Sequence, residues 1–371
     1  MTPRGSDIAR RRLDAQRLSR GRVENPAEVV SWLGAVQAQD YLGALWAVGL
    51  RLRPPSSGKG EGEGEGAVEQ ALADRTIVRT WPMRGTLHFV AAPDTRWMLK
   101  LLTPRVIARN TSRLRRQFGI DESVIARSRG TLQKALQGGR QLTRDGAYKA
   151  LQEAGIEAAG QRGLHIVWWL AQEGLLCFGP RRGRQQTFVL LEEWLPPARV
   201  LERDEALAEL ARRYFTSHGP ATPADFAWWS GLTAADAQAG LEMARSSLGY
   251  ERFDGFELWS AHDRPARRGA PPQAHLLPAY DEYLVSYKER GAVLEALRAA
   301  GVRPTAFQVL SPTIVLDGQV VGNWKRTLAN GQLTVTPHPF VPLAKSDAPA
   351  VYQAAERYGA FLGLPVSFQT R

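Results

Sequence analysis

The chain has almost no cysteine: Cys177 is the only one in 371 residues. One thiol allows no internal disulfide and no multi-cysteine metal site. Set between Leu176 and Phe178, it reads as a small apolar filler of a core. Long apolar runs are missing too, and nothing approaches the roughly 20 residues that span a bilayer. Met1-Thr2-Pro3-Arg4-Gly5 leads into no apolar signal core. These absences predict a soluble, cytoplasmic protein with no membrane partner. The six histidines (His88, His165, His218, His262, His275 and His338) are scattered, without metal-ligand spacing. No glycine-rich phosphate loop follows a strand, and there is no nucleophile elbow. Neither a metal nor a cofactor is expected.

Acidic residues are outnumbered: 48 Lys and Arg stand against 37 Asp and Glu, giving a formal net charge of +11. The sequence pI is about 10.1. Such an excess favours a polyanionic partner, nucleic acid or a membrane surface. A hydrophobic content of 44% is ordinary for a globular protein, and the length allows two to four domains.

In chain order, residues 7–20 carry Arg10, Arg11, Arg12, Arg17 and Arg20 around an apolar stripe of Ile8, Leu13 and Leu18, predicting a basic amphipathic helix. Asn25 and Pro26 open a second helix that ends near Gly34. A third runs from Tyr41 to Arg53. The Gly-Glu alternation of residues 56–66 cannot bury a core and reads as a mobile surface loop. A helix is expected over 68–77, strand character with a bend at Gly85 over 78–90, and a helix over 95–102. Residues 105–116 are strongly basic, either a solvated face or a phosphate-contacting one. Helix, helix, helix and hairpin is the order of a winged-helix unit. The order recurs over 120–191, with arginines Arg181, Arg182 and Arg184 at the tip of the wing, and again over 204–259 with an Asp254-Gly255 turn. After a polar linker at 263–273, strands joined at Asp317-Gly318 and Asn330-Gly331 are expected, then a helix over 348–363. Trp324-Lys325-Arg326 sets an aromatic ring beside two cations, a pattern that can stack on and clamp nucleic acid. The expected class is α+β, mainly helical. Its units are 1–115, 116–200 and 201–265, each a winged helix, and a β-rich 266–371 region with a probing hairpin.

One stretch fits no generic role. In Val36-Gln37-Ala38-Gln39-Asp40, two carboxamides stand two residues apart within apolar flanks. Burying an amide is costly unless it finds partners. In an extended segment Gln37 and Gln39 share a face and could orient one water molecule; alternatively they cap the helix that starts at Tyr41. Asp40 could serve as a base, although in an extended segment its side chain points the other way.

Gln37-Ala38-Gln39, together with the Arg79–His88 stretch, Leu277-Pro278-Ala279-Tyr280-Asp281-Glu282-Tyr283 and Val320–Arg326, resembles the winged-helix DNA glycosylase family over residues 8 to 365. The family's catalytic motif is Gln, an apolar residue, then Gln. A sister branch has Asp at the second polar position, so Gln39 places this sequence with the branch acting on natural-product adducts. The Gly-Glu loop departs from the family pattern. The resemblance implies three tandem winged helices in a C-shape around duplex DNA carrying alkylated bases. It implies hydrolytic release of bulky N7-alkylguanine, and of interstrand crosslinks, as repair or self-resistance. Gln37 and Gln39 would be catalytic. Arg84, His88, Arg181, Arg182, Arg184, Trp324, Lys325 and Arg326 would touch DNA. No lysine is poised as a Schiff-base nucleophile, so a monofunctional, monomeric enzyme is expected. A winged-helix transcription regulator, or an inactive lesion-binding protein, would share the charge and element order.

Overall fold

A computed structural model describes residues 5–53, 64–262 and 272–369. Most of the expected Gly-Glu loop and of the 263–273 linker lies outside the described residues. The contacts divide the chain into two compact units, one joining Met1–Glu69 to Leu207–Arg371 and the other formed by Gln70–Ala206. The division cuts through the expected 1–115 segment. No helix among the described residues is long and apolar enough to cross a membrane.

The first unit joins helices to a five-stranded sheet. Its strands lie in the order Val366–Phe368, Gln332–Pro339, Gln319–Ala329, Thr313–Leu316, Ala274–Leu277. All neighbours pair antiparallel except Val366–Phe368, which runs parallel to Gln332–Pro339. The Ala348–Leu362 helix packs against the Ala274–Leu277 strand. The Tyr41–Gly49 helix is seated there by Trp46. Its indole donates to Leu276 O at 2.7 Å, and its ring lies 4.8 Å from Tyr358 and 5.0 Å from Phe361. Helices Pro223–Ser230 and Ala234–Ala244 precede a hairpin of Leu248–Phe253 and Phe256–Ala261.

In the second unit the Ile77–Met83/Thr86–Ala91 hairpin precedes the Ala92–Phe118 helix. Helices Glu122–Leu136, Arg144–Glu153 and Gly160–Gln172 follow, with the Leu176–Arg182/Gln185–Leu190 hairpin. One core gathers Trp81, Leu114, Leu132, Leu151, Ile166 and Phe188. Cys177 is fully buried in a neighbouring cluster, and burial pushes its thiol up, out of reach of ionisation. It is the core filler its flanks predicted.

Turn chemistry matches the expectation at three pairs in which glycine follows Asp or Asn; a fourth, Asp145-Gly146, lies within the Arg144–Glu153 helix. Asp254-Gly255, Asp317-Gly318 and Asn330-Gly331 all have positive φ at both residues, the requirement of a type I′ hairpin turn. Arg84-Gly85 forms the same turn, with φ of 53° and 74°; the sequence showed only a bend.

Several helix limits differ from expectation; the helix expected from Tyr41 to Arg53 ends at Gly49. The first helix spans Gly5–Ala15 and not 7–20. Arg17 adopts φ of 60°, and Leu18 N donates back to Leu13 O at 2.9 Å, a helix-ending pattern. The helix expected over 68–77 is Glu65–Ala73. Arg75 at φ of 65° turns the chain, and Thr76 N bonds Ala71 O at 3.0 Å, freeing Ile77 to begin a strand. The helix expected over 95–102 is one 27-residue helix that runs through Pro104 to Phe118. Thr103 braces it there, its hydroxyl lying 2.8 Å from Leu99 O and 2.7 Å from Gln172 O.

Candidate active site

The Gln motif hangs between two capped helices of the first unit. Asn25 accepts from Ala27 N at 2.8 Å to start the Pro26–Leu33 helix, and Gly34 at φ of 80° ends it. A Cβ at Gly34 would stand 3.2 Å from the Trp229 ring, so that indole closes over the turn. Val36–Gln37 is extended, and the chain then bends at Gln39 and Asp40. Gln37 is 8% exposed, whereas Gln39 and Asp40 are exposed. The Gln37 side-chain oxygen accepts from Gln39 N at 3.2 Å. The cap of the Tyr41–Gly49 helix is Asp40, accepting from Gly43 N at 3.2 Å; neither glutamine caps it.

Beneath the motif lies a buried polar network. Gln37 N donates to Glu282 Oε1 at 2.7 Å. The other oxygen of Glu282 accepts from Trp229 Nε1 at 3.0 Å and from the Ser286 hydroxyl. Three donors satisfy the oxygens of this fully buried side chain and offset the cost of taking it out of water. His218 Nε2 stands 3.8 Å from the same carboxylate. Burial pulls the pKa of His218 down against the opposing pull of Glu282. Asp281 holds Arg51 through two bonds of 2.9 Å, both side chains fully buried. Arg51 also reaches Gln16, at 3.0 Å to its carbonyl and 2.8 Å to its side-chain oxygen. Every buried charge here has a partner, the condition for burying charge at all.

Comparison with known proteins matches the sequence model of the family described as DNA glycosylase AlkZ-like, over residues 30–361. The chain belongs to the AlkZ-like DNA glycosylase family. It is therefore an enzyme that hydrolyses N-glycosyl bonds of DNA. It is 28% identical over 334 residues to the interstrand DNA cross-link repair glycosylase of Streptomyces sahachiroi, covering 84% of this chain and 85% of the relative. The solved structure of Streptomyces sahachiroi DNA glycosylase AlkZ matches with a TM-score of 0.73 at 24% identity, covering 100% of both chains. That likeness speaks for the fold.

The AlkZ-like chain spreads its expected DNA-contact residues over unequal environments. Arg182 and Arg184 are exposed at the tip of the Leu176–Arg182/Gln185–Leu190 hairpin, and Arg181 is half-buried. Arg84 is half-buried, its guanidinium 3.2 Å from His88 Nε2. His88 is fully covered, with Nδ1 2.9 Å from Thr86 O. That carbonyl places the ring proton on Nδ1 and leaves Nε2 to accept from Arg84, so the buried His88 braces the Arg84 side chain. Trp324 corrects the sequence expectation. It is 4% exposed, its indole donates to Leu277 O at 2.8 Å, and its ring packs edge-on to Tyr358 at 5.2 Å. A ring so enclosed offers no face to a base. Lys325 is exposed, and Arg326 bonds the Tyr358 hydroxyl. Sequence reasoning passed over Leu328, 54% exposed beside the Asn330-Gly331 turn. Asp281 and Glu282 carried the family resemblance but were given no role, and Arg51 was passed over. The available signal was an acidic pair inside the apolar run Leu276–Leu284.

Proposed function

We propose that the enzyme releases N7-alkylated guanine, bulky adducts and interstrand crosslinks included, from duplex DNA and leaves an abasic site. An N7-alkylguanine is cationic and departs as a neutral base, so no protonating acid is required. What remains is to place a water against C1′ and to support oxocarbenium character at the sugar. Gln37 orients that water and Gln39 supports it or the sugar. The observation that carries this reading is the double tether of Gln37: its backbone N–H is held by Glu282 and its side-chain oxygen by Gln39 N. An acceptor with a second lone pair and two amide protons, fixed in place, suits a water that needs orienting more than deprotonating. Asp40 is committed to capping a helix, which argues against its use as a base. The cross-link repair named for the relative favours crosslinks and bulky adducts as substrates.

The same proposal assigns the helix–helix–helix–hairpin orders to three tandem winged helices acting as a monomer. Arg182, Arg184 and Lys325 hold phosphates, and the Gln319–Ala329/Gln332–Pro339 hairpin probes the groove. The test is base release from a duplex with a single N7-guanine adduct made with a nitrogen mustard, read as alkali-induced strand scission. Gln37→Ala should slow single-turnover release by on the order of 100-fold, the scale of a misplaced reactant. Borohydride should trap no covalent enzyme–DNA species. Release at the wild-type rate by Gln37→Ala would remove that residue from the chemistry.

A further inference from the structure

We propose that Glu282 is a positioning residue of the glycosylase reaction: its buried carboxylate fixes the backbone of Gln37 and, through it, the amide that orients the attacking water. This rests on the role given to Gln37 above. A loop N–H needs only a neutral carbonyl as acceptor. Here it is given the side chain of a fully buried glutamate, a group costly to bury, in a short bond of 2.7 Å. The carboxylate itself cannot drift. Trp229 and Ser286 occupy its second oxygen, and Trp229 also covers Gly34, three residues before Gln37.

The chain around Glu282 acts as a rail for the whole motif. A Cβ at Gly43 would lie 3.3 Å from Pro278 Cβ, at the start of the Tyr41–Gly49 helix. Asp281 holds Arg51 just past the end of that helix. Pro278, Asp281 and Glu282 thus secure the helix start, the helix end and the motif, all within five residues of chain. Glu282 does not reach the reacting atoms; it acts through Gln37.

The test uses the full chain and the nitrogen-mustard duplex. Glu282→Gln keeps the shape but replaces one acceptor by an amide donor, which either Gln37 N–H or the Trp229–Ser286 pair must then face. Single-turnover release should fall by on the order of 100-fold while the dissociation constant for the duplex stays unchanged. Hydrogen exchange at the Gln37 amide should accelerate. Glu282→Gln combined with Gln37→Ala should be no slower than Gln37→Ala alone, because both remove the same function. Val351→Ala, a truncation of a buried side chain on the Ala348–Leu362 helix, serves as the stability control, lowering the melting temperature with the rate intact. Should Glu282→Gln fail to fold, Glu282→Asp is read the same way, since it keeps the carboxyl group but withdraws it from Gln37 N. A substituted enzyme that releases base as fast as Val351→Ala overturns the inference alone. Gln37→Ala at the wild-type rate overturns the reading of Gln37 and this inference with it.

Discussion

At the scale of single residues, the first unit is held by charges that cannot be left alone. Arg51 and Asp281 are both fully buried and doubly bonded. Removing one partner strands the other in the interior. Asp281→Ala should therefore cost about 3–5 kcal/mol, measured by urea unfolding; a loss below about 1 kcal/mol would show the pair to be exchangeable with water. Trp324→Phe should behave differently, losing one indole hydrogen bond for about 1 kcal/mol and leaving DNA affinity unchanged. Lys325→Ala should weaken binding without touching stability. The sequence could not separate these neighbours, because Trp324 and Lys325 alternate in a strand and only the fold decides which face is inside. Glu282 was hidden for a related reason. Its partner Gln37 lies 245 residues away, and no local pattern couples two such positions. Gln37 and Gln39 themselves were legible, since amides in an apolar stretch demand an explanation.

At the scale of elements, the hairpins were the most legible parts and carry the next test. Asp-Gly and Asn-Gly announce a turn with positive φ at both residues, and Asp254-Gly255, Asp317-Gly318 and Asn330-Gly331 form it, whereas Asp145-Gly146 follows the Thr143 cap into a helix. Arg84-Gly85 makes the same turn without the usual residue at its first position, which is why only a bend could be read. The Ala92–Phe118 helix continues through Pro104, a stop signal by default. Contacts from Thr103 override that default. Arg182 and Arg184, exposed on their hairpin, are given to phosphates. Each Arg→Ala change should weaken binding to damaged and undamaged duplex alike. It should also reduce the slope of log affinity against log salt by about 0.9. A variant that loses affinity for the adduct duplex alone would move that arginine from the backbone to the lesion.

At the scale of the whole chain, the charge total was plain from the sequence, but which titrating groups matter to stability was not, since six histidines look alike until burial sorts them. His88, His218 and His275 are fully buried, and His218 and His275 have depressed pKa values. For His275 burial is the main cause, with Arg357, Arg22 and Arg51 adding to it; for His218 burial outweighs Glu282. A histidine whose folded pKa lies below its unfolded one binds fewer protons when folded. Its contribution is complete above the unfolded value of 6.5 and is lost as pH falls from there toward the folded value. Each such histidine contributes a slope of at most about 1.4 kcal/mol per pH unit. The carboxylates titrate mostly lower, near pH 4, so between pH 6.5 and 5 the histidines dominate. Urea unfolding from pH 7.5 to 5 should show stability flat at the top and falling below 6.5. His275→Gln, which keeps hydrogen-bonding atoms but cannot titrate, should be shallower than wild type by up to one proton. Equal slopes for the two proteins would mean that His275 protonates in place without unfolding the strand that carries it.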